Sequence, residues 1–150
     1  MTLNQAKIIL TVLKSDTNKK SEIRVYKRFI ALLTKLEYKN LNSFTVEAIE
    51  KKLDTLNLKP VNSDKTKHFK KLLYEFELYL RTSLSLYTKA YFMNIGLIYG
   101  ASIGLLVGIL FLQHMQRSTG ISMGLSLGSL LGIALGAYNQ SQAKLMGYLI

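Results

Sequence analysis

The residues in this chain that could do chemistry are mostly of one kind. Eleven Lys and Arg side chains fall in two runs: Lys19, Lys20, Arg24, Lys27, Arg28, Lys35 and Lys39, then Lys65, Lys67, Lys70 and Lys71. Clustered cations of this sort bind anions, with an affinity that falls as salt rises. Lys19, Lys20, Arg24, Lys27, Arg28, Lys67, Lys70 and Lys71 are therefore the candidate anionic-ligand residues. Three kinds of partner fit them: anionic headgroups beneath a solvated basic face, a nucleic acid or nucleotide-derived messenger, and a cytosolic protein.

Other chemistry is missing. There is no cysteine, hence no disulfide, thiolate metal site or acylated cysteine. No GxGxxG follows a strand pattern, and no GxxxxGK[ST] occurs. The two histidines, His68 and His114, fall on opposite sides of the membrane inferred below and cannot share a metal. The expectation is a chain that is not an enzyme and takes no cofactor and no metal.

The elements that must position the basic residues follow from an uneven distribution of charge. All nine acidic residues lie at or before Glu77, and 18 of the 20 Lys and Arg lie at or before Lys89. The first 89 residues thus read as a soluble unit of formal charge +9, with 18 basic against 9 acidic side chains. Beyond it only Arg117 and Lys144 carry a fixed charge. The opening residues have too short an apolar run for a cleaved signal, which predicts a cytosolic start. Abundant Lys, Asn, Ile and Tyr point to an AT-rich bacterial genome.

Residues 90–112 form an uncharged run of about 23 positions that reaches about 34 Å as a helix, enough for a hydrocarbon core of about 30 Å. Residues 119–138 form a second run of about 20 positions. The short segment between them, with Gln113, His114, Gln116 and Arg117, reads as the tip of a hairpin. Arg81 and Lys89 before the first span and Lys144 after the second put both termini in the cytoplasm, in the inner (cytoplasmic) membrane. Tyr87, Tyr91, Phe92 and Tyr138 fall where an interfacial aromatic belt would lie. Residues 139–150 read as a short cytosolic or interfacial tail.

Glycine recurs at every fourth position in both spans: Gly96, Gly100, Gly104 and Gly108, then Gly120, Gly124, Gly128, Gly132 and Gly136. In a water-exposed helix each would cost about 1 kcal/mol relative to alanine. In lipid, where apolar surface no longer drives association, small residues at i and i+4 let backbones approach closely. The pair of spans resembles glycine-zipper membrane hairpins, and the glycines are predicted to pack helices within one hairpin or between copies. Ser122 and Ser126 lie about 200° around the helix from that row, with Leu127, Leu131 and Leu135 on a flank. Small residues on opposite faces suggest a homo-oligomer with Ser122 and Ser126 as candidate pore lining; the alternative is that each serine bonds the carbonyl one turn back.

The fold class expected is all-α: a cytosolic domain of about four helices over residues 1–89, continuing into the hairpin of residues 90–138. Apolar spacing marks Leu3, Ala6, Leu10 and Leu13, then Ile23, Tyr26, Phe29 or Ile30, Leu33 and Leu36, then Val46, Ile49, Leu53 and Leu56. Ser21 and Thr45 read as caps of the second and third helices, and Ser63 with Asp64 as the cap of the fourth, after Lys59 and Pro60. From His68 through Phe69, Leu72, Leu73, Phe76, Leu80, Leu84, Tyr87 and Tyr91 the periodicity is unbroken. It predicts either one rod into the first span or a joint at residues 82–85.

Two segments, "VYKRFIALLTKLEYKNLNSFTVEAIEKKLDTLN" and "SDKTKHFKKLLYEFELYLRT", loosely give residues 22–82 the cadence of a SAM-like, four-helix core-binding domain of the tyrosine recombinases, which they resemble. The resemblance implies a small helical domain able to touch a phosphate backbone. The recombinases' catalytic domain has no counterpart here, so no recombination is implied. The layout as a whole is similar to small membrane-disrupting effectors of bacterial antiviral defence. The functional expectation is a homo-oligomeric channel or membrane effector controlled by its basic domain; the alternative is a non-conducting anchor or scaffold that recruits a cytosolic partner.

Overall fold

The computed structural model describes residues 1–58, 64–111 and 117–150. The fold is all-α, with six helices among the described residues: α1 (Leu3–Ser15), α2 (Lys20–Tyr38), α3 (Ser43–Thr55), α4 (Lys65–Leu84), α5 (Lys89–Phe111) and α6 (Arg117–Leu145). The chain divides into two compact units, Met1–Leu86 together with Ile150, and Tyr87–Leu149.

In the first unit, Thr2 caps α1: its hydroxyl accepts from the Gln5 N–H, and the Gln5 side chain accepts from the Thr2 N–H in return. This capping box satisfies two backbone donors that a helix start otherwise leaves open. A short loop turns the chain into α2, and Lys7 of α1 pairs with Glu37 near the far end of α2, as in an antiparallel hairpin. At α4, Asp64 is the cap, accepting from the Lys67 N–H at 3.4 Å. Ser63, Pro60 and Lys59 lie outside the described residues.

The caps expected at Ser21 and Thr45 are corrected. Helix α2 starts two residues earlier than a Ser21 cap implies, with Lys19 as its unassisted cap, and α3 starts at Ser43 after Asn42. The Ser21 hydroxyl instead lies 3.4 Å from that of Thr66. A side chain within the first turn of its own helix can face a neighbouring helix, and for Ser21 that neighbour is α4.

The apolar stripes close over one core. Tyr26 packs edge-on against Phe69, with ring centroids 4.9 Å apart, and Phe29 lies 5.5 Å from Phe76. Leu10, Leu33, Leu36, Ile49, Leu53 and Leu80 are fully buried around them. Residues 21, 26 and 29 of α2 face 66, 69 and 76 of α4, so these two helices run parallel and begin at the same end.

Helix α4 does not run into α5 as one rod. It stops at Leu84, Ser85 takes the left-handed conformation (φ 52°, ψ 29°), and the N–H groups of Ser85 and Leu86 both turn back to the Leu80 carbonyl. The physical reason is burial: Leu86 is only 6% exposed, in the core of the first unit, and a continued helix would not place it there. The joint suggested for residues 82–85 thus falls at its last residue.

The second unit is a helical hairpin. Helix α5 has 23 residues, about 34 Å. Helix α6 runs on past Tyr138 to Leu145, so its last two turns are the polar stretch that begins at Asn139. Gly147 (φ 76°) then reverses the chain, the Tyr148 N–H bonds the Ala143 carbonyl, and the Tyr87 N–H bonds the Tyr148 carbonyl at 2.8 Å. The two open ends of the hairpin are tied together by this contact. Rings of Tyr87, Tyr91 and Phe92 cluster at the same end, with centroids 5.3 to 5.5 Å apart.

A left-handed serine is strained by about 1–3 kcal/mol, and glycine relieves that strain. Ser85→Gly should leave thermal stability unchanged or raised. Ser85→Val should lower stability by about 1–3 kcal/mol, read as a drop in the melting midpoint of the detergent-solubilised protein.

Candidate functional site: a glycine seam and a basic face

Both helices of the hairpin are long and apolar enough to cross a membrane, over Lys89–Leu110 and Thr119–Leu145. Only 11% and 28% of their most apolar windows are buried within the protein. Core helices of a soluble protein would be mostly covered; here Ile98, Leu106, Leu110, Leu130, Leu131 and Leu135 stand open, each more than half exposed. Lipid is the solvent that suits such a surface.

The glycines meet one another across α5 and α6. A Cβ built on Gly96 would lie 2.2 Å from the Gly132 carbonyl oxygen, one on Gly100 2.3 Å from that of Gly128, and one on Gly104 2.2 Å from that of Gly124. Gly108 faces Gly120 at 2.6 Å, and Gly136 faces the Phe92 carbonyl at 2.6 Å. No real Cβ tolerates backbone at such distances, so the approach exists only because these positions lack one. The paired numbers all have the same total, which defines a single antiparallel register. By that register Lys89 is level with Asn139. The two helices therefore change from polar to apolar at one height, as an interface with a bilayer requires.

The structure thus packs both glycine rows inside one hairpin. Ser122 and Ser126 are exposed, away from the seam. The Ser126 hydroxyl donates to the Met123 carbonyl at 3.0 Å, as Ser102 does to Ile98 and Ser141 to Ala137. Such bonds satisfy a hydroxyl on its own helix and ask for no water. Leu127, Leu131 and Leu135 line a groove of about 630 Å³ along one flank of the seam, together with Tyr99, Ile103 and Val107 from α5. His114, Gln113 and Gln116 lie outside the described residues.

The eight candidate anion-binding residues are divided by their partners. Arg28 of α2 reaches Glu77 of α4 at 3.0 and 3.2 Å, Lys19 lies 3.5 Å from Glu22, Lys67 3.9 Å from Asp64, and Lys71 3.8 Å from Glu75. Lys20, Arg24, Lys27 and Lys70 are exposed and pair with no carboxylate among the described residues. Because α2 and α4 are parallel, the basic halves of both helices lie at one end of the pair.

Three features escaped the sequence reading. Glu22 is buried, 3% exposed, where it accepts from the Thr17 hydroxyl at 2.6 Å. Burial, and secondarily the Glu22 carboxylate, push the Tyr26 phenol above its usual value. The signal was present: Glu22 stands at i of the i, i+3, i+4, i+7 stripe that continues with Val25, Tyr26 and Phe29. Second, His68 Nε2 is shielded and finds no hydrogen-bond partner among the described residues. Third, Phe44, Lys51, Lys52 and Tyr79 line a cleft of about 450 Å³ between α3 and α4, with the Lys52 ammonium 5.6 Å from the centre of the Tyr79 ring. Burial also lowers the Lys39 ammonium from its usual value.

Comparison of the chain with protein-family models, curated proteins and solved structures gave no match.

The seam makes a sharp expectation. Gly104→Ala places a methyl group against the Gly124 carbonyl and should destabilise the hairpin by about 1–3 kcal/mol, the usual cost of overpacking. Leu130→Ala, on the open face, should change it by less than about 0.5 kcal/mol. Loss of helical circular dichroism along an SDS titration measures both, and equal effects would contradict the seam.

Proposed function

We propose that this chain is a two-span protein of the cytoplasmic membrane, with both ends on the cytoplasmic side, whose hairpin is an anchor for a basic helical domain that recruits a cytosolic partner. The observation that carries the reading is the closed glycine seam. Every glycine from Gly96 to Gly108 has its counterpart in the same hairpin, so the hairpin is complete without a second copy. The break at Ser85 supports the same reading, because it removes the continuous helix through which the domain would have moved the spans. Lys89 and Lys144 at the open end, against Arg117 near the tip, support the orientation.

A homo-oligomeric channel or membrane-perturbing effector is the second reading, favoured by one observation: Ser122 and Ser126 are exposed on the outer surface of α6. In this reading the serine faces of several copies converge on a path, and the recombinase-like domain senses nucleic acid or a nucleotide messenger.

Purified protein in liposomes separates the two. An anchor gives dye and ion flux equal to that of empty liposomes, with or without oligonucleotides or cyclic nucleotides. Ligand-dependent flux that is lost in Ser122→Leu/Ser126→Leu, in an assembly of four or more copies by light scattering, would establish the channel instead.

A further inference from the structure

The open face of α2 carries a pattern that neither the core nor the ion pairs use. Lys20, Arg24, Lys27, Ala31, Lys35 and Tyr38 follow one another at steps of four and three residues, all are exposed, and they form one stripe along the whole helix. No acidic residue interrupts it. Two carboxylates at its edges are engaged: Glu77 holds Arg28 on the side toward α4, and Glu37 holds Lys7 on the side toward α1. Glu22 is turned into the core. Meanwhile Glu47, Glu50 and Asp54, a third of the nine acids, sit together on α3. The domain is therefore polarised, with an uninterrupted cationic stripe on one helix.

The stripe ends in an aromatic residue. Tyr38 is 83% exposed, more than any other large apolar or aromatic residue in the described chain, and Phe44, six residues on, is 76% exposed. Lysine beside exposed tyrosine is the combination that settles at the headgroup level of a bilayer: the ammonium stays with the phosphates while the ring and methylenes enter the acyl boundary. Tethering adds to this. The four residues 85–88 between α4 and α5 span at most about 14 Å, so a bilayer holding the hairpin is always within reach of the domain.

We propose that the α2 stripe, Lys20, Arg24, Lys27 and Lys35 with Tyr38 at its end, docks on anionic phospholipid headgroups of the same membrane in which the hairpin sits. The proposal rests on the hairpin being embedded in a bilayer. It assigns the α2 face to lipid and leaves the α3–α4 side of the domain to the cytosolic partner. Nucleic acid is the competing occupant, and the experiment includes it.

The full chain is placed in nanodiscs of phosphatidylcholine alone or with one third phosphatidylglycerol, and its lysines are labelled with an amine-reactive reagent and read by mass spectrometry. Docking slows labelling of Lys20, Lys27 and Lys35 at least threefold in the anionic discs and leaves Lys51 and Lys52 of α3 unchanged; 1 M salt abolishes the difference. Arg24→Gln/Lys27→Gln, two exposed positions that leave the core intact, should return Lys20 and Lys35 to their rates in neutral discs, since each cation contributes about fivefold to the surface partition. Equal rates in the two discs, or slowing at Lys51 and Lys52 as well, would overturn the proposal. So would protection of the stripe by a double-stranded oligonucleotide in neutral discs without any from anionic lipid. Carbonate extraction of cell membranes keeps the readings apart: a chain that resists carbonate but shows an unprotected stripe loses only the docking, whereas one released by carbonate loses the embedded hairpin and the docking with it.

Discussion

Contact between two backbones is the constraint on which the membrane unit depends. At the glycine seam a backbone carbonyl of one helix, at every fourth residue, occupies the place where a side chain of the other would begin. Water would make such a helix pair costly, because glycine has the most conformational freedom to lose and no side chain to bury. Lipid changes the balance. Chain entropy is already reduced in a helix that has no other way to satisfy its peptide groups, and contact energy between close-packed backbones, including weak Cα–H···O bonds, becomes the main source of association. The same four-residue spacing in both helices then fixes one antiparallel register over the full seam, since a slip that does not restore the spacing would drive a methylene into a carbonyl.

That register connects the seam to the rest of the unit. It sets Lys89 level with Asn139, and so brings the polar end of α6 and the Tyr87, Tyr91 and Phe92 cluster to one height. The hydrogen bond from Tyr87 to the Tyr148 carbonyl can form only because both chain ends arrive there together. The Ser102 and Ser126 hydroxyls are served locally, by carbonyls on their own helices. The outer surface is left to the solvent that suits it.

The first unit follows the opposite rule, in which apolar burial decides. Its stripes were legible from spacing because Tyr26, Phe29, Leu33 and Leu36, or Phe69, Leu72, Leu73 and Phe76, recur with helical period and have no other destination than a core. Both apolar helices were legible from the absence of charge, and close glycine packing from the matched spacing, which left open whether it joins helices of one hairpin or of two copies. What was not legible depends on tertiary choice. A serine near a helix start reads as a cap, yet Ser21 faces Thr66 because a parallel α4 lies beside it. The unbroken periodicity from His68 to Tyr91 contains no signal for a stop. The helix ends at Ser85 because Leu86 gains more from the core than from another turn, and a serine without glycine's freedom accepts a left-handed conformation to allow it. Likewise, Arg28 is engaged because α4 places Glu77 beside it, which no one-dimensional reading of charge contains.

The break at Ser85 also bears on the proposed anchoring. A continuous helix would couple every displacement of the domain to the spans, whereas a left-handed residue followed by irregular chain transmits position but little torque. In the proposed anchoring, position is what the hairpin supplies. If the hairpin is embedded as proposed, a domain tethered to it meets headgroups at an effective concentration far above that of any soluble ligand. Weak, distributed charges such as those of Lys20, Arg24, Lys27 and Lys35 then suffice, where a free protein would need a preformed pocket. An exposed stripe of basic residues with no enclosed pocket, which would be a poor design for a specific anion site, suits a surface that, in the proposed anchoring, only has to orient a domain already held in place.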